Sequence, residues 1–559
     1  MYLSHLEIDN FLGIRSARID FNETTVLIGE NDSGKSALLE AIDKVLAVNK
    51  EGGKLRFYPH EFHVEMRGGT YAPTGTLRIA LTFRERRPDE WSLLQGNEMG
   101  VLIRDDKNVI QELTVEVTAQ PGEKASFPEW GIRIPGTDTS GMKNDQTILD
   151  WIRRMNPVFR IRSGILTSIP EQKAHDTSTT GSEPEKKEEF INRISKHFEN
   201  LLQGTAPDVH AELRAGYRTA MNYLEEASSL FLPEGYYAQS IIGDILGKRS
   251  SSEGLIGRGI HYHHGSAAEM IGLLLFTNAM LQSGTLLADP ASEPIFIFED
   301  PEANLHPMTL ESVRLMIERL KWQKIITTQS GDFLSGYSLQ DIRRITRQAG
   351  HVRQWKISPG SLGNEDLRRL SYHIRMRRGT ATFARCWLLV EGESEVWLLP
   401  HVARLCGFEL AMEGVVCIEF AQCGISPLIK AARQLGIEWH LLADGDAAGK
   451  AYIDTAKHFA NQSNEDYANS FTGLRDKDIE HHLFFNGYAA VYQEYSGIPI
   501  NYGQNMQPRR IIGRAIHRNS KPFMAIAIVE AMAQPDSPGV PPVLRKLVET
   551  CVRLAQGRS

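Results

Sequence analysis

Residues 24–42 read TTVLIGENDSGKSALLEAI, and this stretch decides how the first part of the chain folds. The apolar run VLI is typical of a strand, and the apolar residues of SALLEAI recur with helical spacing. The glycine-rich turn between them, residues 29–36, fits the pattern G-x-x-x-x-G-K-[ST]. In this strand–loop–helix context, backbone N–H groups and the helix N-terminus favour phosphate oxygens. A glycine-rich turn without a ligand is the alternative.

We therefore predict a nucleotide site at this loop. Lys35 is expected to reach the β- and γ-phosphates, and the hydroxyl of Ser36 is expected to bind Mg²⁺. The predicted ligands in the loop are Gly29, Asn31, Gly34, Lys35 and Ser36.

A second apolar run, IFIF at residues 295–298, ends in the acidic sequence EDPE. The usual partner of a phosphate loop is a strand that ends in Asp, for magnesium, and then Glu, for the attacking water. This chain inverts that order, with Glu299 before Asp300 and with Glu302 nearby. We predict Glu299 as a metal ligand and Asp300 as the catalytic carboxylate, whose reach to the water is one methylene shorter.

The opening, LEIDNFLGIRSARIDFNETTVLIGENDSGKSALLEAI, resembles the ABC-type ATPases of the SMC and RecF kind in order and spacing. In that family two heads sandwich ATP, with the phosphate loop of one head facing a signature serine of the other. The resemblance implies a homodimer in which Ser266 is that serine. The local alternative is a capping box formed by Ser266 and Glu269 at the start of an apolar helix.

The same resemblance predicts a histidine after the last strand, in a TTHS-like sequence. This chain reads TTQS, which places Gln329 there. Glutamine can hydrogen-bond a γ-phosphate but cannot accept a proton. We therefore expect Gln329 to contact the nucleotide and ATP hydrolysis to be slow.

Acidic motifs follow apolar strands in the second half of the chain. LLVEGESE occupies residues 388–395, LLADGDAAG residues 441–449, and DIEHH residues 478–482. Carboxylates at the carboxyl ends of neighbouring strands converge on one crevice, and we expect Gly445 to let the Asp-Gly-Asp turn bend toward it. Such oxygen ligands suit Mg²⁺ or Mn²⁺, and two such ions can clamp the attacking and leaving oxygens of a phosphodiester. An isolated Asp-Gly-Asp is often a surface turn, but the ordered pair of motifs favours a metal site.

This ordered pattern resembles the Toprim domain of topoisomerases, primases and some nucleases. An SMC-like ATPase followed by Toprim resembles the OLD (overcoming lysogenization defect) family of ATP-dependent endonucleases, in its YbjD-like branch. The implied fold is α/β, an ABC-type ATPase head with a helical insertion followed by a Rossmann-like Toprim domain. The implied metal ligands are Glu391, Glu395, Asp444, Asp446 and Glu480. Lys521, in NSKPFMAIA, matches a family lysine that stabilises transition-state charge, and a solvated loop lysine is the alternative.

The predicted domain organisation follows these motifs. The ATPase domain occupies residues 1–165 and 256–355, interrupted at 166–255 by a polar loop and a helical block that we expect to contribute to dimerisation. A basic linker at 356–380 leads to the Toprim domain at 381–559. The stretch between residues 269 and 289 is interpreted as a buried helix rather than a membrane span.

Composition indicates an ordinary globular protein of 559 residues, with 42% hydrophobic residues and a formal net charge of −7. A negative net charge gives no general attraction to nucleic acid, so contact with DNA must come from local basic stretches. Residues 367–385 contain six Arg and no acid, and residues 495–529 contain four Arg, one Lys and no acid. Each alone is more often a solvated face, but together, beside the acidic motifs, they favour DNA.

The five cysteines form no CxxC pair, which favours reduced thiols, and Glu7 and Asp9 interrupt any signal-peptide pattern. We predict a cytoplasmic, ATP-regulated, Mg²⁺- or Mn²⁺-dependent DNA endonuclease. Its expected partners are DNA, a second copy or a larger homo-oligomer, and an accessory defence protein, with no membrane. A non-cleaving SMC-like repair scaffold and a topoisomerase- or primase-like enzyme are the alternatives. The sequence leaves open whether the role is phage defence or DNA repair.

Overall fold

The computed structural model describes most of the chain outside a long central segment. The described residues are 1–46, 55–67, 69–88, 90, 111–122, 124–133, 146–162, 165–168, 292–303, 305–377, 379–463, 467–498 and 507–557, together with 220, 271, 274, 275, 277, 278 and 281. The chain divides into two compact units. The first is Met1–Tyr337 with Asp341–Gln354, and the second is Ser338–Gln340 with Trp355–Ser559. Ser266 and most of the predicted insertion at 166–255 lie outside the described residues.

The first unit is built on a twelve-stranded sheet and a separate hairpin. Its strands are β1 (Tyr2–Phe11), β2 (Ile14–Asp20), β3 (Thr24–Ile28), β4 (Val64–Arg67), β5 (Thr70–Pro73), β6 (Leu77–Arg84), β7 (Glu112–Ala119), β8 (Glu129–Arg133), β9 (Val158–Arg162), β10 (Ile165–Ser168), β11 (Ile295–Glu299), β12 (Gln323–Thr327), β13 (Ile342–Gln348) and β14 (His351–Trp355). The spatial order is β10-β9-β11-β12-β3-β13-β14-β2-β1-β6-β7-β8, and β4 pairs with β5. The run from β9 to β13 is parallel, so the carboxyl ends of these strands share one edge.

Four described helices accompany this sheet: α1 (Lys35–Leu46), α2 (Gln146–Met155), α3 (Pro307–Arg319) and α4 (Gly331–Leu334). The helical stripe predicted from the sequence is confirmed in α1, where Leu38, Leu39, Ile42, Val45 and Leu46 are buried. They join one core with the inward-facing residues of β1, which alternate along the strand because successive side chains point to opposite faces. The phosphate loop is thereby held between a central parallel strand and a helix anchored in the core.

The second unit contains a four-stranded parallel sheet in the order β16-β15-β17-β18. The strands are β15 (Cys386–Val390), β16 (Val415–Glu419), β17 (Glu438–Ala443) and β18 (Phe471–Gly473). Its described helices are α5 (Asn364–Arg377), α6 (Glu393–Leu405), α7 (Ile425–Gln434), α8 (Ala447–Ser463), α9 (Tyr467–Ser470), α10 (Ile479–Leu483), α11 (Ala489–Ser496), α12 (Pro508–Asn519), α13 (Lys521–Met532) and α14 (Pro542–Ala555). Every residue of β15 is buried, as expected for a parallel strand covered on both faces.

Residues 356–380, predicted as a basic linker, contain the helix α5 and fall within the second unit. The six described positions between residues 269 and 289 are buried, and the rest of that predicted helix lies outside the described residues. All five cysteines are free thiols. Among the helices of the described ranges, none is long and apolar enough to cross a membrane.

Candidate functional site

The phosphate loop depends on its glycines for two different reasons. Gly34 adopts a φ of +101°, a conformation that side chains with a Cβ rarely reach. Gly29 lies against the neighbouring strand, where a Cβ would come within 2.4 Å of the Ile345 carbonyl oxygen. The loop therefore curls tightly at the N-terminus of α1, as the sequence pattern predicts.

The side chain of Lys35 is held inside this loop. Its Nζ donates to the carbonyl oxygens of Gly29, at 2.8 Å, and Glu30, at 2.9 Å. Burial lowers the pKa of Lys35, and the nearby carboxylates, led by Asp300, oppose that shift. A buried cation that carbonyl oxygens, the Ser33 hydroxyl and nearby carboxylates compensate is well suited to receive phosphate oxygens.

The loop and the acidic strand end meet through Ser36 and Glu299. The Ser36 hydroxyl donates to Oε1 of Glu299 at 2.9 Å, and Arg160 donates to Oε2 at 3.0 Å. Arg160 is buried on β9 and also donates to Glu40 at 2.6 Å. A hydroxyl beside a carboxylate is a donor set that fits Mg²⁺. Sequence reasoning missed Arg160, because a single arginine within VFRIR carries no motif signal.

Asp300 and Gln329 lie together at the ends of β11 and β12. Oδ1 of Asp300 accepts from the Thr327 hydroxyl at 3.1 Å, and Nε2 of Gln329 lies 3.5 Å from Oδ2. Glu302 accepts from the Thr328 hydroxyl at 2.7 Å and from the Gln329 backbone N–H at 2.8 Å. Burial raises the pKa of Glu302. These bonds place the glutamine that the sequence singled out beside the predicted catalytic carboxylate.

The predicted metal ligands of the second unit come from the ends of adjacent strands. Glu391 follows β15 and Glu395 lies in the first turn of α6, while Asp444 and Asp446 follow β17. Since β15 and β17 are parallel neighbours, these carboxylates share one edge of the sheet.

The chain bends at Gly445, as the sequence predicts, although this glycine is absent from the positive-φ positions. It is required for space instead, since a Cβ would lie 2.3 Å from the Asp476 carbonyl oxygen. The Gly445 N–H donates to that same oxygen at 2.9 Å. The Asp-Gly-Asp turn is thus hydrogen-bonded to, and closely packed on, the segment that leads to Glu480.

Several of these carboxylates are close enough to influence one another's charge. Burial raises the pKa of Asp444 to about 8, with further contributions from Glu395, Glu391, Asp478 and Glu480. Burial also raises the pKa of Glu395 to about 7. Like charges that face one another across a partly dry site each favour the protonated form.

Glu480 and Lys521 complete this cluster. The Ser394 hydroxyl donates to Oε1 of Glu480 at 2.9 Å, and Lys521 Nζ lies 3.6 Å from the same oxygen. Lys521 begins α13 and does not lie in a solvated loop, which was the alternative. A small cleft adjoins the pair, and its lining includes Ser394, Glu480, Tyr492 and Lys521.

One further residue of this region, Ser394, was missed at the level of sequence, and Asp478 of the DIEHH motif was left out of the implied ligand set. Ser394 stands between two predicted ligands, and its bond to Glu480 depends on tertiary contact. Asp478 caps α10 by accepting from the His481 N–H at 2.8 Å, and its charge reaches Asp444. The Asp-x-Glu spacing of Asp478 and Glu480 is the signal that could have included Asp478.

The donor set fits a divalent cation, although the described residues do not form a closed coordination shell. Within the described ranges, no group of three or more His, Cys, Asp or Glu side chains is positioned to hold a metal ion. Oε2 of Glu391 is buried and accepts no hydrogen bond from a described residue. A buried, unpartnered carboxylate oxygen beside like charges is what a cation would neutralise.

The two basic stretches differ in their local partners. Arg368 and Arg369 on α5 both donate to Glu365, at 3.1 and 3.0 Å, so the first stretch is partly neutralised by an acid just upstream. On α12, the side chains of Arg509, Arg510 and Arg514 are exposed and form no ion pair with a described residue. The α12 arginines therefore form an exposed cationic surface on the second unit.

Family models cover the chain in two consecutive blocks. Residues 1–381 match a family described as a protein of unknown function, DUF2813. Residues 382–446 match the model described as overcoming lysogenization defect protein-like, TOPRIM domain.

Individual relatives are similar over the same blocks. The uncharacterized protein YbjD of Escherichia coli strain K12 is 32% identical over 584 residues, with 100% of both chains covered. The SMC head domain from Thermotoga maritima is 13% identical and covers 64% of this chain and 100% of its own, with a TM-score of 0.32. The C-terminal region of the Burkholderia pseudomallei OLD protein is 19% identical and covers 32% of this chain and 100% of its own, with a TM-score of 0.26.

The assignment rests on the sequence matches, which span the phosphate loop, the acidic strand end and the Glu391–Asp446 motifs. They agree with the α/β architecture of both units. The chain therefore belongs to the DUF2813 family, and its residues 382–446 match the OLD-like TOPRIM domain.

Proposed function

We propose that this protein is an ATP-binding, divalent-metal-dependent DNA endonuclease. The observation that carries the proposal is the placement of Glu391 and Asp444 directly after the neighbouring parallel strands β15 and β17, together with the pair formed by Glu480 and Lys521 at 3.6 Å. Carboxylates that raise one another's pKa are costly for an apoprotein, which supports a functional rather than a structural reason for their placement.

In the second unit, the carboxylates would hold Mg²⁺ or Mn²⁺ and Lys521 would face the substrate phosphate. The bound cation would supply the positive charge that stabilises attack and departure of oxygen at phosphorus. Ser394 holds Glu480 in place through its hydrogen bond. The Asp446 carboxylate is oriented by the Gly449 N–H, which donates to Oδ1 at 2.8 Å. Lys521 adds a cation next to Glu480. The Lys521 side chain is 52% exposed, so it does not block the Glu480 carboxylate.

In the first unit, the loop residues would bind the phosphates of ATP. Ser36 and Glu299 would hold Mg²⁺, Asp300 would accept the proton of the attacking water, and Gln329 would donate to the γ-phosphate. Asp300 already lies near Lys35 and Gln329, which supports this assignment. The homodimer stays a prediction, because Ser266 and the expected dimerisation segment lie outside the described residues.

Plasmid cleavage by the full chain tests this function. We expect Mg²⁺ or Mn²⁺ to support nicking of supercoiled DNA, and we expect none with EDTA, because the carboxylates alone lack the required positive charge. Assays with and without ATP, resolved on agarose gels, report both the metal and the nucleotide dependence. Binding without any strand break would favour the SMC-like scaffold, and relaxation without nicks would favour a topoisomerase-like enzyme.

The α12 surface, defined by Arg509, Arg510 and Arg514, should contribute to DNA affinity through phosphate contacts. The triple alanine variant should bind DNA more weakly, with the slope of log K against log salt reduced by about 2–3 because three counterions are no longer released. Fluorescence anisotropy across a salt series measures this slope. The matched control is Arg404→Ala with Lys457→Ala, two exposed cations already paired with Glu409 and Asp454. Equal slopes for both variants would contradict the assignment.

A further inference from the structure

An exposed arginine stands at the carboxyl edge of the parallel strands, next to the predicted magnesium ligands. Arg162 is the last residue of β9 and pairs in register with Glu299 of β11. Its side chain is 64% exposed, and its Nε lies 3.8 Å from Oε2 of Glu299. None of the sequence motifs includes this residue.

Glu299 does not need Arg162 as a structural partner. Its Oε1 already accepts from Ser36 at 2.9 Å, and its Oε2 already accepts from the buried Arg160 at 3.0 Å. The 3.8 Å separation from Arg162 is longer than a hydrogen bond, and exposed ion pairs contribute little to stability. The guanidinium of Arg162 is therefore available to another anion.

The nearest place for such an anion is the phosphate site. Ser36 and Glu299 mark the predicted magnesium position, and Asp300, next to Glu299, lies within electrostatic reach of Lys35. The strand order places β11 and β12 between β9 and the phosphate-loop strand β3. Ser36 bonds to Oε1 of Glu299, whereas Arg162 lies near Oε2, so the loop and β9 approach this carboxylate at different oxygens. Its planar fork of donors matches two oxygens of a phosphate.

We propose that Arg162 contacts the γ-phosphate of ATP bound to its own subunit and stabilises the charge that develops during hydrolysis. The proposal rests on the nucleotide site proposed above. In this reaction the water oxygen bonds to the γ-phosphorus and the bond to the β,γ-bridging oxygen breaks. ADP leaves with that electron pair, and the proton of the water passes to Asp300. Arg162 changes no bond; it supplies positive charge in addition to that of Lys35.

The test compares Arg162→Ala and Arg162→Lys with a matched control. Arg18→Ala is that control, since Arg18 is 71% exposed and its Nε also lies 3.8 Å from a glutamate, Glu7. Arg162→Ala should lower kcat for ATP about 100-fold or more, with KM changed only a few-fold, because the contact strengthens in the transition state. Arg162→Lys should recover part of the rate, and Arg18→Ala should match wild type.

Binding of a fluorescent ADP with Mg²⁺, with and without aluminium fluoride, adds a readout that does not depend on turnover. We expect Arg162→Ala to bind ADP normally and to lose the additional affinity that aluminium fluoride confers on wild type. Suppose that wild type hydrolyses ATP and traps the nucleotide. If Arg162→Ala then behaves like Arg18→Ala, the proposed role of Arg162 is wrong while the nucleotide site stands. A wild type that neither hydrolyses nor traps nucleotide overturns both. Lower ADP affinity together with a lower Tm in Arg162→Ala would show a structural role instead.

Discussion

Asp444→Asn should lower metal-dependent DNA cleavage by about 1000-fold or more while ATP hydrolysis continues at the wild-type rate. The variant keeps the volume of the side chain and removes one anionic ligand from the centre of the carboxylate cluster. ATP hydrolysis should persist because Asp444 belongs to the second unit and Lys35 to the first. Plasmid nicking with Mn²⁺ and phosphate release, measured on the same preparations, report both activities.

The same substitution should change how stability depends on pH in EDTA-treated protein. Because the pKa of Asp444 is raised to about 8 from its ordinary 3.8, folding favours its protonated form. The stability that protonated Asp444 contributes is complete below about pH 4 and is lost as pH rises through about 8. The shift bounds this contribution at about 6 kcal/mol, and screening of the partly exposed carboxylate reduces it to roughly 1–3 kcal/mol.

Asp444→Asn should therefore flatten the decline of unfolding free energy between about pH 4 and 8, as measured by urea titration. Asp454→Asn is the matched control, since Asp454 lies on α8 with its side chain 75% exposed. The control should leave cleavage and the pH profile unchanged. If Asp444→Asn nicks plasmid as wild type does, the proposed metal site is wrong.

Lys35→Ala should abolish ATP hydrolysis, with a loss of at least about 100-fold in kcat/KM. The loop loses the cation that its own carbonyls hold in place at 2.8 and 2.9 Å. Because burial of this lysine already lowers its pKa, removing it should not reduce the stability of the free protein. Steady-state phosphate release and thermal melts measure the two effects.

Lys321→Ala serves as the control for that experiment, because Lys321 is an exposed lysine of the same unit. Wild-type turnover by Lys35→Ala would contradict the phosphate-loop assignment. A lower Tm together with lost turnover would instead indicate that Lys35 supports the loop itself.

The sequence alone determined the parts of this protein whose chemistry is contiguous in the chain. The phosphate loop could be predicted because one strand, one turn and one helix contain all of its ligands between Gly29 and Ser36. The buried strands of both sheets could be predicted because parallel strands are apolar on both faces. Glu391 and Asp444 could be assigned to one edge because each follows such a strand.

Only the tertiary structure decided which distant residues meet. Arg160 and Arg162 lie two positions apart on the same strand. Arg160 is nevertheless buried among carboxylates, whereas Arg162 is exposed beside Glu299. Ser394 reaches Glu480 across 86 residues, and Gly445 is required by a carbonyl oxygen of Asp476 rather than by its own conformation. These roles depend on packing between segments that are distant in sequence. The residues next to a single arginine, serine or glycine do not indicate which distant side chains it will contact. The sequence therefore determined the motifs, while folding decided which side chains position them and how their charges raise one another's pKa.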